Sequence, residues 1–169
     1  MIFVTVGTTD FDALVRQMDW LAPDLGEPVV CQIGTGEYRP QHCYYFRFTH
    51  SLATYIRSAR LVVSHGGLGC VTDVARLGKP LVGVSNPDRR DHHQDEFLSK
   101  FEADNHLIWC RSMDALGDAI ERVSSTTFAP YAEPPCDIHF VIDDFLRPRR
   151  PRVGRERALW EGAGGPDGW

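Results

Sequence analysis

The chain has 169 residues, 43% hydrophobic and 24% charged, proportions that suit one domain with a single buried core and argue against disorder over most of its length. Its net charge of −5 hides an asymmetry, because residues 1–146 carry 12 Lys and Arg against 20 Asp and Glu, whereas 147–169 carry six arginines against Glu156, Glu161 and Asp167. The acidic body argues against a nucleic-acid footprint, and no apolar run approaches the roughly 18 residues that span a bilayer.

The opening MIFVTVG has no basic region ahead of its apolar run and reads as a buried strand over Ile2–Val6 rather than a signal peptide. Gly7-Thr8-Thr9-Asp10 then turns into a helix on which Phe11, Leu14, Val15, Met18 and Leu21 recur at helical spacing, with Asp10 placed as its N-cap. Strands follow at Val29–Ile33 and Tyr44–Phe48. The step between them, Cys31 to Phe48, lacks a long helix and predicts an irregular part of the sheet. Leu61–Ser64 is the next strand, and Val71, Val74, Ala75 and Leu77 mark the helix after it. Gly78 with Pro80 stops that helix and opens a strand over Pro80–Ser85. Phe97, Leu98 and Phe101 predict another helix, Leu107–Cys110 a strand, and Met113, Leu116, Ile120 and Val123 a last helix of the repeating pattern. Beyond Thr127, Pro130, Pro134 and Pro135 mark a turn-rich stretch, and CDIHFVIDDFL offers one more strand or helix. From Arg147 the chain is basic, rich in Pro and Gly, and expected to be mobile, which places a domain at 1–146 and a tail at 147–169.

Strands alternating with helices mean an α/β fold whose parallel sheet is covered on both faces. Cys31, Cys43, Cys70, Cys110 and Cys136 form no CxxC pair and are odd in number, which reads as reduced thiols packed as small hydrophobes.

In an open parallel sheet, ligands bind beyond the carboxyl ends of the strands. Three loops at that edge have unusual content. Gly7-Thr8-Thr9-Asp10 offers a sharp turn, two hydroxyls and a helix N-terminus, all suited to phosphate oxygens; a plain β–α turn explains it as well. Ser64-His65-Gly66-Gly67-Leu68-Gly69-Cys70 places three glycines within four residues at a strand-to-helix junction, with Asp73 one helical turn in. Such glycine density suits close backbone approach to a diphosphate, and Asp73 suits ribose hydroxyls, although a first-turn acid also complements the helix dipole. The spacing fits neither G-x-G-x-x-G nor a P-loop. The third loop, Asn86–Glu96, carries Asp, His and Gln side chains that suit a sugar; a solvated helix start is the plainer reading. A metal site there is disfavoured because the adjacent His92 and His93 point in different directions on a helix.

Taken together these segments resemble the C-terminal donor-binding domain of glycosyltransferase family 28 in its small, separately encoded form. That form includes the soluble subunit of the dolichol-pathway UDP-GlcNAc transferase and bacterial PssE-type exopolysaccharide subunits. The resemblance is carried by VTVGTTDFDAL at Val4–Leu14, VCQIGTGEY at Val30–Tyr38, SHGGLGCVTD at Ser64–Asp73, LGKPLVGVSN at Leu77–Asn86 and HQDE at His93–Glu96, and covers roughly residues 1–124. It implies a Rossmann-like parallel sheet, the donor-binding half of a GT-B glycosyltransferase. It further implies a diphosphate cradle at Gly66, Gly67 and Gly69 with Ser64 and His65, a ribose contact from Asp73, and sugar contacts from His93 and Gln94 with Asn86 and Glu96 beside them. Gly7, Thr8 and Thr9 would lie near the diphosphate or the acceptor opening. Asp73 stands where the family usually has Glu, and Leu68 and Cys70 stand where smaller residues or serine are commoner.

The implied reaction is inverting, metal-independent transfer from a UDP-sugar to a lipid-linked saccharide, in exopolysaccharide or glycan synthesis, with no resident cofactor. One domain of this length forms one wall of a cleft, so a membrane-associated acceptor-binding subunit is the expected partner, with a cytoplasmic location at the inner face of the membrane. A non-catalytic nucleotide-sugar-binding module and a self-sufficient homo-oligomeric enzyme are the competing readings. The arginine-rich tail, with Leu159 and Trp160, suits anionic lipid headgroups, an acidic partner surface or a solubilising end equally.

Overall fold

Six strands, β1 (Ile2–Thr5), β2 (Val29–Gln32), β3 (Tyr44–Phe46), β4 (Leu61–His65), β5 (Leu81–Val84) and β6 (Ile108–Cys110), pair in the order β3-β2-β1-β4-β5-β6. Every pairing is parallel, with Ile2 beside both Val29 and Leu61 in the middle of the sheet. The structure, a computed structural model, describes residues 1–87, 93–133 and 135–146, apart from the side chain of His93. Residues 88–92 of the third loop and the basic stretch 147–169 therefore lie outside the described residues.

The strands are short and continuously apolar because both faces are covered. Alternation along β1 sends Ile2 and Val4 to one face and Phe3 to the other. The first face packs on α1 (Asp12–Leu21), through Leu14, Val15 and Met18, and on α5 (Leu116–Arg122), through Leu116, Ala119 and Ile120. The second packs on α2 (Ala53–Ser58), α3 (Leu68–Arg76) and α4 (His93–Ala103), through Ile56, Val71, Val74, Leu98 and Phe101. Ser64 and Thr5 are buried among these apolar strands at 0% exposure, and each spends its hydroxyl on a neighbour.

Two local features differ from the sequence reading. Asp10 is not the N-cap of α1: Phe11 takes that place, without a side-chain cap bond, because its ring is locked into the core and sets where the helix begins. A helix, α2, lies between β3 and β4 where none was expected. It is six residues long with Ile56 its one buried residue, too short to show a period, and the Tyr55 ring lies tilted against Phe46 with ring centroids 4.6 Å apart. The segment after Pro135, which the sequence left open between strand and helix, forms a helix, α6 (Ile138–Leu146). The end of α3 follows expectation: Gly78 takes a φ of +63°, and the N–H groups of Gly78 and Lys79 close on Ala75 and Val74.

The expected helix-free step between β2 and β3 is present, and two carboxylates of α1 hold it. Asp12 accepts from the N–H groups of Glu37 and Tyr38. Seven residues further along the same face, Asp19 accepts from the N–H groups of Gln41, His42 and Cys43 and from the Tyr38 hydroxyl, at 2.6–3.1 Å. Arg16 lies over the Tyr38 ring at 4.1 Å. A connection without a helix has backbone donors to satisfy, and these acids supply the acceptors.

The chain divides after Glu133 into two compact units. The first holds the sheet and α1 to α5. In the second, α6 carries Ile138, Val141, Ile142 and Phe145 at helical spacing. Among the described residues no helix is long and apolar enough to cross a membrane, and all five cysteines are free thiols, with Cys31, Cys43 and Cys110 buried.

Asp19 is 3% exposed. Burial by itself raises its pKa, but the bonds from Gln41, Tyr38, His42 and Cys43 outweigh it and hold the carboxyl below the ordinary Asp value of 3.8. A depressed folded-state pKa contributes stability that is complete above the unfolded value and lost as pH falls through the folded one. Asp19→Asn is expected to cost about 3 kcal/mol in urea unfolding at pH 7, because the amide turns a donor toward N–H groups. The wild-type melting temperature should fall as pH drops below about 4, and the variant should lack the part of that fall due to Asp19.

Candidate functional site

The strand order reverses direction between β1 and β4. From β1 the chain passes to α1 on one face, and from β4 to α3 on the other, so the two loops diverge and leave a crevice beyond the strand ends. A cavity of about 400 Å³ occupies it, lined by Gly7 and Thr8 from one loop and by His65, Gly67, Leu68, Gly69, Cys70 and Asp73 from the other. Gln32 at the end of β2, and Phe48, Thr49 and Leu52 from the β3–α2 connection, complete the lining.

His65 explains two of the glycines. Its ring is 8% exposed and sits between Gly7 and Gly67; a Cβ at Gly7 would lie 2.8 Å from His65 Cε1, and one at Gly67 would overlap the same ring. Gly7 also has a φ of +66°, a region that side chains disfavour. Gly69 is different. A Cβ there would meet no protein atom within 4 Å, so packing does not require the glycine, and the space it leaves opens into the cavity.

The floor of the cavity is the start of α3. Gly67 caps that helix without a side-chain bond, and no acid lies in its first turn. The first N–H groups of a helix lack intrahelical partners and carry the positive end of its dipole, which favours an anion. The Asp73 side chain is 64% exposed at the rim and pairs with Arg76 at 3.5 Å, while Arg76 also grips Glu133. Burial pushes the Cys70 thiol up in pKa, only partly opposed by a bond with Thr5, so it stays protonated. Phe48 and Leu68 expose apolar surface at 56% and 62%, giving the cavity a greasy edge beside its polar floor.

The structure thus brings together Gly7, Thr8, His65, Gly67, Gly69 and Asp73 of the residues singled out from sequence. Of the others, Thr9, Ser64, Gly66, Asn86, Gln94 and Glu96 lie near the same sheet edge but do not line this cavity. Thr9 turns its hydroxyl to the Val6 carbonyl, and Ser64 spends its hydroxyl on the carbonyl of His65. Gly66 is small because α4 crosses it: a Cβ there would come within 2.9 Å of Leu98 and 3.1 Å of Gln94. Gln94 uses its side-chain oxygen to accept from the Asn86 N–H at 3.1 Å, and Asn86 Nδ2 reaches the Asp10 carbonyl at 3.4 Å. Glu96 is exposed on α4, and His93 opens that helix. Gln32, Phe48, Thr49 and Leu52 were missed in the sequence. The available signal was Phe48 itself, an apolar residue set in the polar stretch RFTHS past the last paired residue of β3. Among the described residues, no cluster of three His, Cys, Asp or Glu side chains is placed to hold a metal ion.

Comparison with known proteins agrees with this fold. The family model described as "Glycosyltransferase family 28 C-terminal domain" matches residues 1–139. The UDP-N-acetylglucosamine transferase subunit ALG13 of Homo sapiens is 34% identical over 124 residues, covering 64% of this chain and 11% of that protein. The subunit of the same name from Eremothecium gossypii is 42% identical over 74 residues, 43% of this chain and 36% of its own. The chain therefore spans only a minor part of these relatives' length. Among solved structures, MurG of Acinetobacter baumannii superposes with a TM-score of 0.59 at 19% identity, over 73% of this chain and 40% of that one. A solution structure of ALG13 gives 0.56 at 19% identity, over 86% and 94%. The six-stranded parallel sheet is the Rossmann-like half of the GT-B fold.

Gly67 and Gly69, two of the three glycines that line the cavity, should respond oppositely to an added methyl group. Gly67→Ala is expected to destabilise by about 1–3 kcal/mol, since the packed His65 ring must move. Gly69→Ala should leave stability unchanged or raise it by up to about 1 kcal/mol. Thermal unfolding of both variants checks this, and equal destabilisation would show that Gly69 also serves packing.

Proposed function

Because the chain belongs to the glycosyltransferase family 28 C-terminal domain family, we propose that it is the donor-binding half of a two-part glycosyltransferase. The cavity between β1 and β4 holds a UDP-sugar, by analogy with its relatives UDP-N-acetylglucosamine. The sugar passes to a hydroxyl of a lipid-linked saccharide presented by a membrane-associated partner subunit. The observation that carries this reading is Gly69, a glycine that packing does not require, beside an uncapped helix N-terminus with a carboxylate at the rim.

The diphosphate lies over the first turn of α3, with Gly69 leaving room for it and the Thr8 hydroxyl in reach. Asp73 accepts from ribose hydroxyls, its carboxylate one methylene shorter than the family's usual Glu. Phe48, Leu52 and Leu68 offer the apolar surface that a flat base needs. The sugar extends toward Asn86, His93, Gln94 and Glu96 along the same edge. In an inverting displacement, negative charge grows on the leaving diphosphate, and oriented N–H groups stabilise it without needing a metal ion. The acceptor hydroxyl must lose a proton to a base. His65 is wedged between two glycines at the back of the cavity, and we assign the base to the partner's wall of the cleft. The protein then works in the cytoplasm, at the membrane surface through that partner, in glycan or exopolysaccharide assembly.

Calorimetric titration of the purified chain with UDP, ADP and NAD tests the donor assignment. UDP should bind best; preference for ADP or NAD would contradict the reading. Asp73→Ala should weaken UDP about tenfold through loss of a charge-assisted hydrogen bond, and an unchanged affinity would remove Asp73 from the site. Gly69→Ala should weaken UDP with the fold intact, separating it from the packing glycines. Sugar transfer that proceeds with this chain alone would favour the self-sufficient enzyme, and UDP-sugar binding without transfer beside any membrane partner the non-catalytic module.

A further inference from the structure

We propose that Gln32 is a positioning residue whose side-chain amide holds the loops on two sides of the cavity in register, so that donor affinity depends on a group buried beneath it. The inference rests on the donor-site reading for its consequence, but its geometry stands independently. Gln32 ends β2 and is 2% exposed. In register it lies between Thr5 of β1 and Phe46 of β3. Its side-chain oxygen accepts from the Thr5 hydroxyl at 2.7 Å. Its nitrogen donates to the Gly7 carbonyl and to the Arg47 carbonyl, each at 2.7 Å. Thr5 in turn accepts from the Gly7 N–H at 3.2 Å, closing a ring of bonds beneath the first loop.

Both carbonyls lie past the strand ends. Gly7 leads into Thr8 on one side of the cavity, and Arg47 leads into Phe48 and Thr49 on another. Arg47 extends the network, because its guanidinium donates to the carbonyls of Gly34 and Gly36 in the helix-free connection. The strands themselves are held by their own ladders, so the Gln32 side chain adds little to β1–β2 or β2–β3 pairing. What it joins is the loop after β1 and the connection after β3. The chemistry needs a primary amide: two donors and an acceptor in one plane. Glu keeps the acceptor and loses both donors, and Met keeps the length and loses all three.

The experiment uses the full chain and UDP as probe. Gln32→Met and Gln32→Glu should raise the UDP Kd about tenfold with one site per chain retained, as expected for losing buried hydrogen bonds that hold the loops. Thr5→Val, which is close to isosteric, should raise it several-fold, and Thr5→Ser should restore it. An unchanged Kd overturns the proposal, and so does a fall in the number of sites at constant Kd, since that reports only a smaller folded fraction. Amide hydrogen exchange gives a readout that needs no ligand. Exchange in the variants should accelerate at residues 7–10 and 47–52 while β4 stays protected; equal acceleration in β4 means general destabilisation and overturns the positioning role. Failure of the wild-type chain to bind UDP would instead count against the donor-site reading, with exchange still deciding what Gln32 does.

Discussion

Neighbouring parallel strands that feed helices on opposite faces send their loops apart and leave a crevice beyond the strand ends. This constraint applies where β1 meets β4, and the rest of the site depends on it. The β1 loop turns toward α1 and the β4 loop toward α3, leaving a crevice beyond the strand ends. Into it opens an uncapped helix N-terminus, which makes the crevice attractive to an anion before any particular side chain is considered. The histidine and glycines then shape it. His65 fills the back, Gly7 and Gly67 let the backbone close over its ring, and Gly69 leaves space on the open side.

A second constraint acts at the other end of the sheet. The passage from β2 to β3 has no helix to satisfy its backbone, and a parallel crossover of this length needs partners for its N–H groups. Asp12 and Asp19 supply them from α1, and Arg47 supplies donors to carbonyls from below. The loops of the cavity therefore rest on a polar scaffold whose parts come from α1, β1, β2 and the end of β3. Buried polar networks of this kind specify one arrangement, because each unpaired member would be costly.

One sheet edge provides one wall. The cavity offers features for a nucleoside diphosphate, a basin of helix dipole, a carboxylate at the rim and an apolar lip, and it opens outward rather than enclosing a reaction centre. That is the arrangement expected of half a GT-B enzyme, where the second half faces the first across a cleft. In the two-part enzyme proposed above, the other half brings an acceptor too apolar to leave a membrane, and this chain contributes the donor site.

The six strands and most helices were legible in the sequence, because parallel strands covered on both faces must be continuously apolar and their helices must repeat with the helical period. The helix of Ala53–Ser58 was not legible, since six residues with one buried side chain carry no period. Gly7, Gly67, Gly69 and Asp73 were also visible, as glycine density at a strand-to-helix junction is a local property of the chain. Which glycine serves packing was decided only by the fold: Gly66 and Gly67 are small because Leu98, Gln94 and His65 crowd them, whereas Gly69 stands beside empty space. Likewise Gln32 reads in sequence as one polar residue at the end of an apolar strand. Its three partners lie 27, 25 and 15 residues away, and only the parallel register of β1, β2 and β3 brings them to one amide.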